Sequence, residues 1–374
     1  MTRTSMLDAR HRALGADFNG DTWNGMALPW SYARDLQDEV IATRTRASLI
    51  DVTSVNLVDV VGPDAEAVLD GMVTIDVARL KPGFGRVAAE VDDAGALCDD
   101  ILVVRHGEDR FRLSHGSGAT RRQLARCAEG KDVRCEADRD THCMTLQGPI
   151  SAALLGPHCA ADLTGLAYFQ FVETRLFGKD VVISRSGYAG EHGFEVYCPA
   201  ADALYLWDTI LAVGRPLGVL PASWNCLEIT RIESCLLFFP FDMPEGDTTP
   251  WEVKMGWAVD LDKRADYIGK QAVLASKGKE RVLQAGLSCQ AAVAVEAGAR
   301  ILAGGDEVGV VTSAGYSRYL MRSLAMAHLK PSASAIGTRV EVRGPRVSCE
   351  ATVVQTPFYD PMRIRTHPER AAGN

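Results

Sequence analysis

A carboxylate stands where a strand calls for an apolar side chain. Glu195 lies between Phe194 and Val196, directly after the glycine-punctuated run SGYAGEHG at 186–193. Alternation along a strand sends Phe194 and Val196 to one side and Glu195 and Tyr197 to the other. The charge must then either face water, the common fate of a glutamate, or hold a donor. A second acidic pair, Asp99 and Asp100, opens the strand-like run DDILVV. Adjacent strand side chains diverge, so only one of the two can serve a given face, and both could instead end a turn after GAL. Glu228 and Arg231 stand three apart on a helical stretch, the spacing of a surface ion pair. His115, with Ser114 and Ser117 in LSHGSG, invites a hydrolase reading. However, no G-x-S-x-G elbow is present and His115 precedes Ser117 by only two residues, which argues against a Ser–His dyad. The ten cysteines form no C-x-x-C pair and the eight histidines no H-x-x-x-H. No metal site is expected, and the thiols read as buried and reduced, as in a cytoplasmic protein.

These residues need a scaffold, and 374 residues suffice for two or three domains. Hydrophobic residues make up 47% and charged residues 24%, the balance of an ordinary globular protein. The net charge of −8 comes with scattered Lys and Arg, so no concentrated basic face exists for nucleic acid. The opening MTRTSMLDARHRALGADF has no continuous apolar stretch to read as a secretory signal. No run approaches the roughly 18 apolar residues of a membrane span.

An internal echo organises the first part of the chain. DVVGPDAEAVL (59–69) and MTLQGPISAALL (144–155) both run from a β-type stretch through Gly-Pro into an Ala-rich helical segment. Pro63 and Pro149 are expected in the first helical turn, where a missing N–H costs nothing. The pair suggests a duplicated half-domain. Strand-like runs FGRVAAEVDD, LCDDILVVRH and RFRLSHGSG lie between the echoes, and KDVVISRS with GFEVYCPA forms a hairpin-like pair. Helices are expected over 201–217, through Leu204, Trp207, Ile210 and Leu211, and over WNCLEITRIESCLLF. From about Glu280 short strands and turns suggest a small all-β barrel, and ERAAGN reads as a frayed tail. The fold class is α+β, with a two-lobed region over 1–279 and a β-barrel over 280–374.

Several stretches together resemble one family. SRSGYAGEHGFEVY is similar to the S-R-T-G-Y-T-G-E-D-G-F-E-I stretch of the glycine-cleavage T-protein, or aminomethyltransferase, family. GALCDDILVVR resembles its G-G-I-x-D-D-L-x-V, and ADYIGKQAV its D-F-I-G-K-x-A-L. EVGVVTSAGYS and the closing VRG…VVQTPF resemble its C-terminal barrel. The matches run in order from about residue 50 to residue 358. RIESCLLFFPFDM is closer to the R-I-E-x-G-x-L-x-Y-x-x-D-M of folate-dependent demethylases of the dimethylsulfoniopropionate demethylase kind. Leu227 stands where the glycine-cleavage enzymes carry an arginine, and TSV at 53–55 replaces their S-H-M.

The resemblance implies a three-lobed, tetrahydrofolate-binding fold. Glu195 would accept hydrogen bonds from the pterin's amino and ring N–H groups, with Tyr188 as a folate contact. Phe169 or Phe171 would wall the cofactor, or simply pack. Asp100 would act near the folate nitrogen as a base or an electrostatic stabiliser, and Arg343 would reach the glutamate tail or cap a strand. The activity implied is movement of a methyl group from a small O-, S- or N-methylated metabolite to tetrahydrofolate. The alternatives are a glycine-cleavage aminomethyltransferase, a non-catalytic folate-binding or assembly protein, and a folate-independent enzyme. The motifs do not name the methyl donor or the oligomeric state.

Overall fold

A computed structural model describes residues 3–371. The chain divides into two compact units. The first comprises residues up to Asn56, Asp138–Arg231 and the stretch from Met362 onward, and the second comprises Leu57–Ala137 with Ile232–Pro361.

In the first unit a six-stranded sheet runs in the order Leu220–Pro221, Ser48–Asp51, Thr141–Gln147, Gly193–Pro199, Lys179–Ser184, Phe171–Leu176. Every pairing is antiparallel except the first. One face packs on the helix Ala203–Gly214, whose Leu206, Trp207 and Ile210 meet Leu146, Phe194, Val196 and Ile183 in one apolar cluster. The helical spacing around Trp207 predicts this face, and burial of such a stripe is what holds an amphipathic helix on a sheet. The opposite sheet face carries Gln147, Thr145, Cys143, Ser184, Glu195 and Tyr197, since these alternate with the core residues.

The second unit holds a five-stranded sheet in the order Phe84–Val91, Leu97–Arg105, Arg110–His115, Asn56–Val61, Arg134–Asp138. It also holds a closed six-stranded barrel that starts at Leu283–Cys289 and ends at Ser348–Val354, the two strands that pair to close it. Leu287, Ile301, Val311, Ala327, Val342 and Val353 fill its core. The barrel strands stop at Val354. Beyond Met362 the chain belongs with the first unit, where the Arg185 guanidinium donates to the Thr366 carbonyl at 2.9 Å. Pro368–Ala371 forms a short 3₁₀ turn, and the rest of the expected frayed tail lies outside the described residues.

The two echoes share a backbone. Gly62 has φ +144° and Gly148 φ +142°. A Cβ at either would strike backbone, the Asp132 carbonyl oxygen at 2.5 Å and the Arg46 carbonyl oxygen at 2.3 Å. Only glycine fits both positions. The prolines are not in the first helical turn, because the helices begin later, at Ala65 and Ser151. Gly62 O accepts from Ala65 N–H (3.0 Å) and Gly148 O from Ser151 N–H (3.1 Å). Pro63 and Pro149 therefore occupy the second position of a turn that feeds each helix, where their fixed φ is equally suitable.

Candidate functional site

In the first unit the side chain of Glu195 projects from the polar sheet face. It is half-buried, opposite Thr145 on one neighbouring strand and Ser184 on the other. Two hydroxyls converge on a single oxygen: Ser186 Oγ donates to Oε2 at 2.6 Å and Tyr197 Oη at 3.1 Å. Among the described residues no hydrogen bond reaches Oε1. Burial pushes the Glu195 carboxyl above its usual range, and the two hydroxyls pull against that shift.

The glycine-rich turn before it has a physical explanation. Gln147 passes between Gly187 and Gly193, so a Cβ on Gly187 would lie 2.0 Å from its Nε2 and one on Gly193 2.5 Å from its Cδ. Gln147 Nε2 donates to Thr145 Oγ1 (2.7 Å) and to the Ser186 carbonyl (3.0 Å), which fixes the residue that holds Glu195. Gly190 takes φ +68°. Glu191 is fully buried against Arg44 Nη1 at 3.2 Å, and the same nitrogen donates to the Ala189 carbonyl at 2.8 Å. Tyr188 thus rides on a loop clamped at both ends.

An aromatic and basic group flanks Glu195. Phe169 adopts φ +62°, a conformation costly for a bulky residue. Its ring lies 4.4 Å from that of Tyr168, and Arg185 lies over the Tyr168 ring at 5.8 Å. Burial first, and the Glu195 charge second, push the Tyr168 hydroxyl up to about 12, while Arg363 and Arg185 oppose the shift. His367 stacks obliquely on the same ring at 4.8 Å. Phe171 is buried in the ladder opposite Ser184 and reads as packing.

The second unit gathers carboxyls. Both aspartates lie inside the strand Leu97–Arg105, so neither ends a turn. Asp99 is fully buried on the face of Ile101 and Val103, while Asp100 shares the other face with Leu102 and Val104 and is half-buried. Asp99 Oδ2 accepts from Gly116 N–H (2.8 Å) and Ser117 N–H (2.6 Å), and Oδ1 from Asp100 N–H (2.9 Å). Burial, then the neighbouring Asp99 charge, hold the Asp100 carboxyl well above its ordinary value. The same loop buries His115, whose Nδ1 meets the Ser117 carbonyl at 3.0 Å, and burial lowers this imidazole to about 4. Ser117 Oγ accepts from the Ala119 N–H at 2.9 Å, and among the described residues no hydrogen bond joins His115 to a serine hydroxyl of this loop.

Two further expectations meet the structure. Arg343 ends the strand Arg339–Arg343 on the barrel surface, forked onto Glu341 at 2.8 and 2.9 Å. Glu228 and Arg231 do pair, but not on the surface: Arg231 is 1% exposed. Helical spacing gives the pairing and cannot give depth. The sequence reading also missed Gln147, the Arg44–Glu191 clamp, Arg363 and Glu90. The glycines at 187 and 193 were the one available signal, since an unbroken bulky neighbour can force such a pair. Among the described residues no group of three or more His, Cys, Asp or Glu is placed to hold a metal ion, and no helix is long and apolar enough to cross a membrane.

Comparison with known proteins accords with this arrangement. The GCVT N-terminal domain matches residues 7–263, and the glycine cleavage T-protein C-terminal barrel domain matches 283–360. The heme-dependent oxidative N-demethylase gamma subunit of Ectopseudomonas mendocina is 39% identical over 368 residues, covering 96% of each chain. The aminomethyltransferase of Streptomyces coelicolor is 32% identical, covering 96% of this chain and 97% of its own. The crystal structure of aminomethyltransferase T from Bartonella henselae superposes with a TM-score of 0.88 at 29% identity, over 96% of this chain and 99% of that one. With both halves of the fold matched in order along nearly its whole length, the chain belongs to the glycine-cleavage T-protein family.

Proposed function

We propose that the protein is a tetrahydrofolate-dependent one-carbon transferase, working in the cytoplasm on a small O-, S- or N-methylated metabolite. The observation that carries this reading is Glu195: a half-buried carboxyl with both hydroxyl partners on one oxygen and the other oxygen open. That is an acceptor prepared for adjacent N–H donors, which a pterin edge presents. Tyr168 and Phe169 supply flat apolar area beside it, and Tyr188 stands on the clamped loop. The folate, when bound, supplies the nucleophilic nitrogen that takes the carbon. Asp100 manages the proton of that transfer. Arg343 is assigned to the folate's glutamate tail, for which it must exchange its bond to Glu341.

Leu227 and the TSV segment speak against the glycine reaction, because the residues that distinguish the glycine-cleavage branch are replaced there. A second reading is favoured by the 39% identity to a subunit of an oxidative N-demethylase. In that reading a partner subunit oxidises an N-methyl group, and this chain accepts the carbon at the aldehyde level instead of as methyl.

Calorimetric titration tests the common core of both. Tetrahydrofolate should bind in the micromolar range, and Glu195→Ala should weaken it about ten- to a hundred-fold, the cost of a lost charged hydrogen-bond partner. Unchanged affinity in the variant would return Glu195 to a solvated charge. Wild-type protein offered tetrahydrofolate with a methylated amine, or with formaldehyde, then separates the two readings by which carbon source it uses.

A further inference from the structure

Three carboxyls lie close along one pair of strands in the five-stranded sheet, Glu90 and Asp99 on one face and Asp100 on the other, and Asp99 takes most of the donors. Glu90 stands directly opposite Asp99 in the ladder between Phe84–Val91 and Leu97–Arg105, and Asp100 is the next residue along. Directly opposed strand side chains have Cβ atoms about 4.5–5.5 Å apart. Carboxyls that close do not all ionise. Three backbone N–H groups point at Asp99, two of them from the turn just before the helix Ala119–Ala128. Glu90 is fully buried and meets one hydroxyl, Thr120 Oγ1 at 2.6 Å, while its Oε1 has no partner. The remaining charged groups around these carboxyls are mostly acidic: Asp242 acts on Asp100, and Glu245 acts on Asp99, on Glu90 and on the Cys98 thiol, with Arg122 opposing at Glu90 and Cys98.

We propose that Asp99 is a positioning residue: its anion, fixed by three backbone N–H groups, keeps the proton on Asp100, so the site meets its ligand as an acid. This rests on the reading that Asp100 takes part in the one-carbon transfer. The tendencies of the three groups agree, since Asp99 rises only to about 6 whereas Glu90 rises to about 8 and Asp100 well above the ordinary carboxyl range.

The consequence is chemical. An acid is what an aldehyde-level carbon needs: protonating the hydroxyl formed when an amine adds to formaldehyde lets it leave as water. The carboxylate left behind then takes the proton released by the second amine nitrogen as it bonds to the carbon. Two N–H bonds and one C=O are consumed, two C–N bonds and one water are made, and Asp100 ends as it began. Methyl displacement, by contrast, calls for a group already deprotonated. In the aldehyde-level reading, the class of reaction that supplies this substrate is an oxidation of a methylated compound.

The test is a carboxyl-carbon NMR titration of the ligand-free full chain labelled at Asp and Glu, with Asp100→Asn assigning the signal. Wild-type Asp100 should titrate well above the ordinary carboxyl range. In Asp99→Asn its midpoint should fall by about one unit or more, the usual effect of removing an adjacent like charge, and the alkaline limb of the pH–rate profile should move down with it. Glu90→Gln should leave the midpoint where it was, because it replaces a group already neutral. An ordinary Asp100 midpoint in wild type, or one unmoved by Asp99→Asn, overturns the proposal. A downward shift in Glu90→Gln also overturns it, and serves if Asp99→Asn does not fold. The NMR readout needs no folate, so a failure to bind tetrahydrofolate would remove the proposed function while leaving this result standing.

Discussion

Gly193→Ala should be among the most damaging single-methyl additions in the first unit. The new Cβ would lie 2.5 Å from the Gln147 Cδ and Nε2 atoms. Gln147 cannot turn aside cheaply, because its Nε2 is committed to Thr145 Oγ1 at 2.7 Å and to the Ser186 carbonyl at 3.0 Å. Overpacking costs about 1–3 kcal/mol, and leaving a buried carbonyl unpaired adds about 1–3 kcal/mol. The sum, about 2–6 kcal/mol, corresponds to a fall in Tm on the order of 5–20 °C for a unit of this size. Urea unfolding of Gly193→Ala, Gln147→Ala and the double variant isolates the cause. With the obstacle trimmed, adding the Gly193 methyl should cost less than about 0.5 kcal/mol, so the coupling should exceed about 1.5 kcal/mol. Equal cost in both backgrounds would mean that backbone conformation, not Gln147, demands the glycine. Because Ser186 also donates to Glu195, Gly193→Ala should weaken tetrahydrofolate binding in the same titration.

Three other outcomes follow from named contacts. Lys263→Met should destabilise by about 3–5 kcal/mol in urea, since the buried ammonium donates to the carbonyls of Val73 and Ile75, both at 2.8 Å, and pairs with Asp70. Glu90 has a folded pKa raised from 4.5 to about 8, so its share of stability is fully present below pH 4.5 and lost as pH rises towards 8; Glu90→Gln should flatten a fall of up to about 4 kcal/mol across that window, seen as the wild-type-minus-variant difference in urea midpoints. Asp100→Asn should leave the fold intact and cut one-carbon transfer about 10²–10⁴-fold, with full activity removing Asp100 from the chemistry.

How much was legible in advance depends on whether a property is periodic or three-dimensional. Alternation placed Glu195 and Tyr197 opposite Phe194 and Val196, and it separated Asp99 from Asp100, because strand geometry has a period of two. The duplicated Gly-Pro junctions were visible as a repeat, but the clash that each glycine avoids, with Asp132 and with Arg46, is distant in the chain. What alternation could not say was which face was buried. It left Asp99 as an idle turn residue, whereas its carboxylate is the anchor for residues 116 and 117. The same blindness put Arg231 on the surface. Depth is set by whatever packs on the far side, and that partner is distant in sequence: Arg44 lies 147 residues from Glu191, and Lys263 lies 190 from the Val73 carbonyl it holds. From sequence, Asp100 reads as a base or an electrostatic stabiliser. In the fold, burial, Asp99 and Asp242 all hold its carboxyl above the ordinary value, and under the proposal above it serves as an acid. The residue could be named from its strand, but the role comes from neighbours that only the fold supplies.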